Sequence, residues 1–336
     1  MSSSRSVRRA LALTATGGLV AAIAWLPAPA FAAVQAQLLA VGEAGTSSNC
    51  TLTSGDDNPQ TQTPVFSHGQ KTRSVDLDAT FTNTGNSSDV VQMSGHYTGT
   101  VTVARKGANL GSVSLTGSGH VNVSSDLGSS TACDPTAEVL SVFESQFTES
   151  QKGWLYVERT TPAKAGVTEL IAQNADTGAA VAFEIFQGGQ SHALSRGFVT
   201  PGTFSGIMVV GLTAGDTGVL LKRAPTSSLS MVFHKVGSAV AGTTGPGKRY
   251  VEFPGAVSCS KHTATLGWKA SAGQVDSATF LVNGQQKASD GTPRGGDRIV
   301  LRHLSSTDDL KITAKLRLKG GGRATATRSY VPCKPL

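Results

Sequence analysis

Residues able to carry chemistry are sparse in this chain, and most sit where a turn explains them as well. Asp176-Thr177-Gly178 and Asp216-Thr217-Gly218 repeat a triplet that, in two copies, can place two aspartates close enough to share a proton. Only 40 residues separate them, too few for two lobes meeting across a two-fold interface. Each triplet also lies between strand-like runs, so both are read as hairpin turns. The seven histidines show no H-E-x-x-H or H-x-H pairing. If the segment Gly107 to Asn109 closes a hairpin with a three-residue loop, His96 falls opposite His120, and two such imidazoles could begin a metal site. Without a third ligand in view they read as a surface pair, so no metal and no cofactor is expected.

Other constellations are weaker. No serine sits at the centre of G-x-S-x-G, which removes the nucleophile-elbow arrangement. Asp76-Leu77-Asp78 reads as solvated charge on one strand face rather than calcium ligation. Trp154 and Tyr156 share a face that could stack on a sugar ring, but with 6% aromatic residues in the chain both read as core anchors. No catalytic residue is assigned.

The elements that position these residues come after an export signal. Arg5, Arg8 and Arg9 precede the apolar stretch Ala10 to Leu26, then Pro27, Pro29 and Ala30-Phe31-Ala32. That is the layout of a secretory signal peptide spanning residues 1–32 and cut after Ala32. Arg8-Arg9 also permits a twin-arginine route, and general secretion is favoured. Gly17-Gly18 and the prolines argue against an uncleaved anchor, and no later stretch has the apolar length of a membrane helix, since Ile207 to Val210 stops at Gly211. The expected location is extracellular or at the cell surface.

In such a compartment four cysteines read as two disulfides. Of the three connectivities, Cys50 with Cys133 and Cys259 with Cys333 keeps each bridge inside one domain. The absence of C-x-x-C spacing makes a zinc site a poor reading.

Short runs rich in Val, Thr, Leu, Phe and Tyr recur between turn signals about 8 to 12 residues apart, the pattern of an all-β chain. Thirty-nine glycines and 39% apolar residues with no fixed period exclude collagen, coiled coil and a wholly disordered polymer. Val139, Phe143 and Phe147 fit helix and strand periods alike; Lys152-Gly153 favours a hairpin into Trp154-Leu155-Tyr156-Val157. The fold expected is a tandem of β-sandwich modules, immunoglobulin-like or jelly-roll-like, divided as 33–135 with one disulfide, 136–245 without cysteine, and 246–336 with the second disulfide. Gly242 to Gly247 reads as the linker.

Ala264 to Trp268, Ala278 to Val282, Arg298 to Arg302, Lys311 to Lys319 and Thr325 to Val331, with Asn283-Gly284 and Gly320-Gly321-Gly322 at turns, resemble an immunoglobulin-like or fibronectin-like domain. The resemblance covers about a quarter of the chain. It departs from antibody domains because Cys259 and Cys333 bracket the strands instead of bridging the core beside Trp268. Phe143, Phe147, Gly153 to Val157 and Pro201-Gly202-Thr203-Phe204 resemble, more faintly, the pre-peptidase C-terminal type of domain, which implies an accessory or binding module.

Charge is concentrated at one end. Lysine plus arginine against aspartate plus glutamate is 15 against 6 in 246–336, but 4 against 8 in 33–135 and 7 against 8 in 136–245. Along Lys311 to Lys319, Ile312, Ala314, Leu316 and Leu318 alternate with basic residues, so one strand face is apolar and the other cationic. Lys315, Arg317 and Lys319 are the candidate anion-binding residues. The plainer reading is an edge strand whose lysines discourage sheet-to-sheet pairing. A partner of this chemistry is an anionic envelope polymer or an acidic glycan. Nucleic acid is not expected, because no aromatic interleaving or recognised motif accompanies the basic residues. The chain therefore reads as a secreted, non-catalytic protein that binds or decorates the cell envelope or extracellular matrix. The rivals are a secreted hydrolase with a site assembled from distant loops, and a structural spacer.

Overall fold

Alternating residues should make strands with one buried face, and the computed structural model shows this over the residues it describes, 34–107, 109–160, 166–187, 193–215 and 221–336. The expected signal segment 1–32 and the triplet Asp216-Thr217-Gly218 lie outside them. Among the described residues there are strands and short 3-10 turns and no α-helix, so the all-β sandwich expectation holds. Two units result. One runs to Ser150 and takes in Leu155–Val232; the other comprises Gln151–Trp154 and Phe233–Leu336.

The first unit is built from β1 (Val34–Gly45), β2 (Cys50–Asp56), β3 (Gln60–Gln62), β4 (Gly69–Asn83), β5 (Asn86–Lys106), β6 (Asn109–Ser125) and β7 (Thr136–Glu149). It continues with β8 (Gly153–Thr160), β9 (Gly166–Asn174), β10 (Ala180–Gln187), β11 (Ala193–Val199), β12 (Gly202–Gly215) and β13 (Leu221–Lys235), the first two residues of β8 and the last three of β13 counting with the second unit. One sheet has the order β10-β9-β12-β7-β1-β3 and the other β11-β8-β13-β6-β5-β4-β2. Their inner faces meet in a core that includes Leu38, Val139, Phe143, Phe147 and Met208 from the first and Leu77, Met93, Tyr97, Val101 and Leu115 from the second. Phe147 stacks on Phe204 with centroids 5.6 Å apart.

This arrangement interleaves the two stretches expected to be separate. β1 pairs with β7 along its whole length, from Val34 opposite Phe147 to Gly45 opposite Thr136. β6 pairs with β13. The boundary expected at Pro135 therefore does not separate one sandwich from another; strands from 33–135 and 136–245 share both sheets. The hairpin expected between β7 and the strand at Trp154 is also replaced, because β7 and β8 belong to different sheets and the turn at Lys152 carries the chain across. Turn chemistry marks where a chain bends and leaves the hydrogen-bonding partner open.

The β5–β6 hairpin keeps the predicted register, with His96 opposite His120 and Ala104 opposite Ser112. The three-residue loop behind that prediction is absent. A bulge past Ala104 absorbs the offset, and the hairpin closes on Lys106 opposite Asn109.

The second unit contains β14 (Val251–Glu252), β15 (Ala264–Trp268), β16 (Val275–Val282), β17 (Gln285–Asp290), β18 (Arg298–Leu301), β19 (Leu310–Leu318) and β20 (Arg323–Tyr330). A sheet of order β14-β15-β18 packs on one of order β17-β16-β19-β20. Trp268 meets Phe280 edge-on at 5.8 Å and donates its indole N–H to Asp290 Oδ2 at 2.8 Å. Asn283 and Gly284 both have positive φ, 49° and 85°, the pair of left-handed residues that a two-residue hairpin turn requires.

Both expected disulfides form, Cys50 with Cys133 and Cys259 with Cys333. The second bridges the segments flanking β15 and β20, away from Trp268, as the sequence implies. The loop at the first is pinned by buried Asp89, which accepts hydrogen bonds from Thr131 Oγ1 at 2.6 Å, Ala132 N at 3.0 Å and Asn83 Nδ2 at 3.1 Å. Those bonds, led by the one from Thr131, hold the Asp89 carboxyl below its ordinary pKa.

Candidate functional site

The cationic strand is β19, and its alternation is carried through. Leu310, Ile312, Ala314 and Leu316 are buried, while Lys311, Lys315 and Arg317 are exposed. The edge-strand explanation for these lysines fails, because β19 lies between β16 and β20. In the register, Lys315 sits between Thr279 and Thr325, and Arg317 between Ser277 and Arg323. Two guanidinium-bearing residues thus face one another on neighbouring strands. Asp276 is the carboxylate beside them, Oδ2 3.7 Å from Arg317 Nε, with both side chains largely in solvent. Thr313 and Thr327 share a hydroxyl hydrogen bond at 3.2 Å two rows along the same face, beyond Lys315 and Thr325. Lys319 follows the end of β19, exposed, its backbone N–H donated to Gln274 O. Hydroxyls and flexible cations on an exposed sheet face can hold an extended polyanion; an embedded small ligand would need a cleft.

A second polar face lies on the first unit, across β4, β5 and β6. The register aligns Asp76, His96 and His120 in one row. Asp76 Oδ1 is 2.7 Å from His96 Nδ1, and His96 Nε2 is 3.1 Å from Thr98 Oγ1. The imidazoles of His96 and His120 are 6.2 Å apart between centroids. Asp78 occupies the next row, with Asp56 as its register partner. The sequence spacing placed the two histidines together but not the carboxylate that orients one of them. That third residue comes from β4, and strand order is what brings it in.

Several buried carboxyls were also missed by sequence reasoning. Glu144 and Glu169 sit on the outer face of the β10-to-β3 sheet, alongside the small apolar cluster of Val142, Ile207 and Val209. Burial raises both pKa values. Glu138 on the same strand face is raised by burial and then by Glu43, its register partner. Glu149 is inside the sandwich, its carboxyl pushed up to about 8 by burial; Oε1 accepts the Leu110 N–H at 3.2 Å and Oε2 has no partner. The one legible signal was the glutamates' position in the alternation of β7 and β9, on or beside apolar runs.

The remaining candidates are structural where described. Asn174 Oδ1 accepts the N–H groups of Asp176 and Thr177, and Gly178 has a φ of 68°, a turn between β9 and β10. Trp154 is buried and donates its indole N–H to Pro332 O at 2.9 Å, both residues within the second unit. Tyr156 is half-buried and accepts from Arg196 at 3.3 Å. Among the described residues no group of three or more His, Cys, Asp or Glu could hold a metal ion, and no helix is long and apolar enough to cross a membrane.

No protein-family model matches the chain, and no curated protein does. Solved structures give remote likenesses. A β-glucuronidase from an uncultured Clostridium species aligns at 8% identity over 55% of this chain and 34% of its own, with a TM-score of 0.17. A Paenibacillus xanthan lyase aligns at 9% identity over 85% and 39%, TM-score 0.19. The BSP domain of a biofilm-associated protein aligns at 8% over 90% and 60%, TM-score 0.19. The chain spans less than two thirds of each, and at these scores none of them bears on its function.

Proposed function

We propose that this chain is an exported, non-catalytic binding protein, and that the outer face of β16, β19 and β20 holds an anionic polymer of the cell envelope or an acidic glycan. The observation that carries this reading is Arg317 facing Arg323 across the strands. Like charges directly opposite are unfavourable in a sheet, and an anion laid between them relieves that cost. Lys311 and Lys315 extend the same face along β19 and Lys319 follows its end, so a chain of regularly spaced phosphates or carboxylates meets several cations in turn. Two closed disulfides fit an oxidising compartment and support export. The three-plus-four strand order of the second unit supports reading it as an immunoglobulin-like or fibronectin-like module.

The test is co-sedimentation of the processed protein with purified envelope, and separately with an acidic polysaccharide, at low and high salt. Binding at low salt that is lost near 1 M salt, and weakened by a joint Arg317→Ser and Arg323→Ser exchange, is the expected result. Absence of binding at low salt ends the reading.

A further inference from the structure

We propose that His96 and His120 form a surface site for one divalent transition-metal ion of the zinc, nickel or copper class, with Asp76 as the residue that positions His96. Three strands contribute one residue each to a single row, Asp76 from β4, His96 from β5 and His120 from β6. The contact between Asp76 Oδ1 and His96 Nδ1, at 2.7 Å, is the carboxylate–imidazole pairing that accompanies metal-bound histidines. It places the ring proton on Nδ1 and leaves the Nε2 lone pair as the donor. Thr98 Oγ1, 3.1 Å from Nε2, donates to that lone pair, and a metal ion takes its place.

The second nitrogen comes from His120, an exposed side chain on the neighbouring strand. Its ring lies 6.2 Å from that of His96, with planes 30° apart. With metal–nitrogen bonds of about 2.0–2.1 Å, two imidazoles on one ion have centroids separated by roughly 5 to 6 Å. A small rotation of the exposed His120 ring closes that gap. Imidazole donors suit zinc, nickel and copper, whereas calcium and magnesium want oxygen sets. Water completes the coordination, and the carboxylates of Asp76 and Asp78 add negative potential on the same sheet face. The site is independent of the anion-binding reading, being on the other unit and of opposite preference.

The experiment titrates Zn²⁺ into the processed full chain by calorimetry while histidine-ring resonances are followed by NMR. One equivalent binding with shifts at His96 and His120 is expected. His96→Ala and His120→Ala should each weaken binding at least ten-fold. Asp76→Asn should weaken it by about ten-fold with both rings still shifted, and His68→Ala should change nothing. The exposed His120 variant keeps the test open if an exchange at His96 disturbs the sheet, as circular dichroism would show. Zinc affinity unaltered by His120→Ala, ring shifts confined to other histidines, or no binding up to millimolar zinc overturns the proposal.

Discussion

Tyr97 on β5 lies against Gly119, its register partner on β6. A Cβ at Gly119 would run into the carbonyl oxygen of His96 and the Tyr97 ring, and one at Gly117 would meet the Tyr97 phenol. The two glycines leave the space that an inward tyrosine needs between strands. Gly119→Ala should therefore destabilise the first unit by about 1–3 kcal/mol, the usual cost of overpacking. Urea unfolding of the two proteins measures the difference, and an unchanged midpoint would remove the steric argument.

The Tyr97 hydroxyl is buried with only the buried Ser227 hydroxyl beside it and no well-formed hydrogen bond, whereas the Tyr330 hydroxyl donates to Pro254 O at 3.0 Å. Burial raises both phenol pKa values, so both are neutral at ordinary pH. Removing an unsatisfied polar group is neutral or favourable, while losing a made hydrogen bond costs about 1 kcal/mol. Tyr97→Phe loses only a poorly formed contact with Ser227 and should change stability little, and Tyr330→Phe should lower it. Thermal denaturation of the pair decides, and equal losses would contradict the difference in their surroundings.

Glu149 gives a pH dependence of defined sign. Its carboxyl in the folded chain loses its proton near 8, against 4.5 for an ordinary glutamate. Between those values the unfolded chain holds fewer protons than the folded one, so stability falls as pH rises. The contribution is complete below about pH 4.5 and gone above about pH 8. Glu149→Gln keeps an acceptor for the Leu110 N–H and cannot ionise. It should be more stable than the parent by at least about 1 kcal/mol at pH 8 and similar to it near pH 4.5. Urea midpoints across that range provide the measurement; parallel profiles for the two proteins would mean the carboxyl is not protonated inside.

The disulfides close loops of 83 and 74 residues. Chain entropy then assigns each about 4 to 5 kcal/mol. Replacing Cys259 and Cys333 by serine should lower the stability of the second unit by that order, with the transition of the first unit left in place. Two calorimetric transitions, of which only one moves, are the signature to look for.

How much of this was legible beforehand varies with the physics involved. Strand-like runs identified β5, β6 and β19, because burial on one face of a strand is a local property, whereas β7 fitted helix and strand periods alike and was read as a strand from the Lys152-Gly153 turn. The His96–His120 pairing was legible because a hairpin register follows from a short turn, even though the turn itself differs. Strand order in the first unit was not legible. The pairing of β1 with β7 joins residues about a hundred positions apart, and nothing in either strand specifies its neighbour. For the same reason Asp76 was read as solvated charge, and Glu149 drew no reading. The basic stripe was legible as a face, but its interior position in the sheet depended on β20 pairing beyond it.

That interior position makes the Arg317–Arg323 pair testable in two opposite directions. With no polyanion bound, two guanidinium groups in register repel, partly offset by Asp276 3.7 Å from Arg317. Arg323→Ser removes the repulsion and leaves Arg317 with Asp276. At low salt the second unit should then gain a few tenths to about 1 kcal/mol. The gain should fade above about 1 M salt, where the Debye length shrinks to about 3 Å. The same substitution should weaken envelope or polysaccharide binding and make it less sensitive to salt. A protein selected only for stability would have no reason to keep Arg323 opposite Arg317, whereas one that holds an anion there does. If Arg323→Ser lowers stability at low salt, or leaves polyanion binding and its salt dependence unchanged, the face is ordinary solvated charge and the binding surface lies elsewhere.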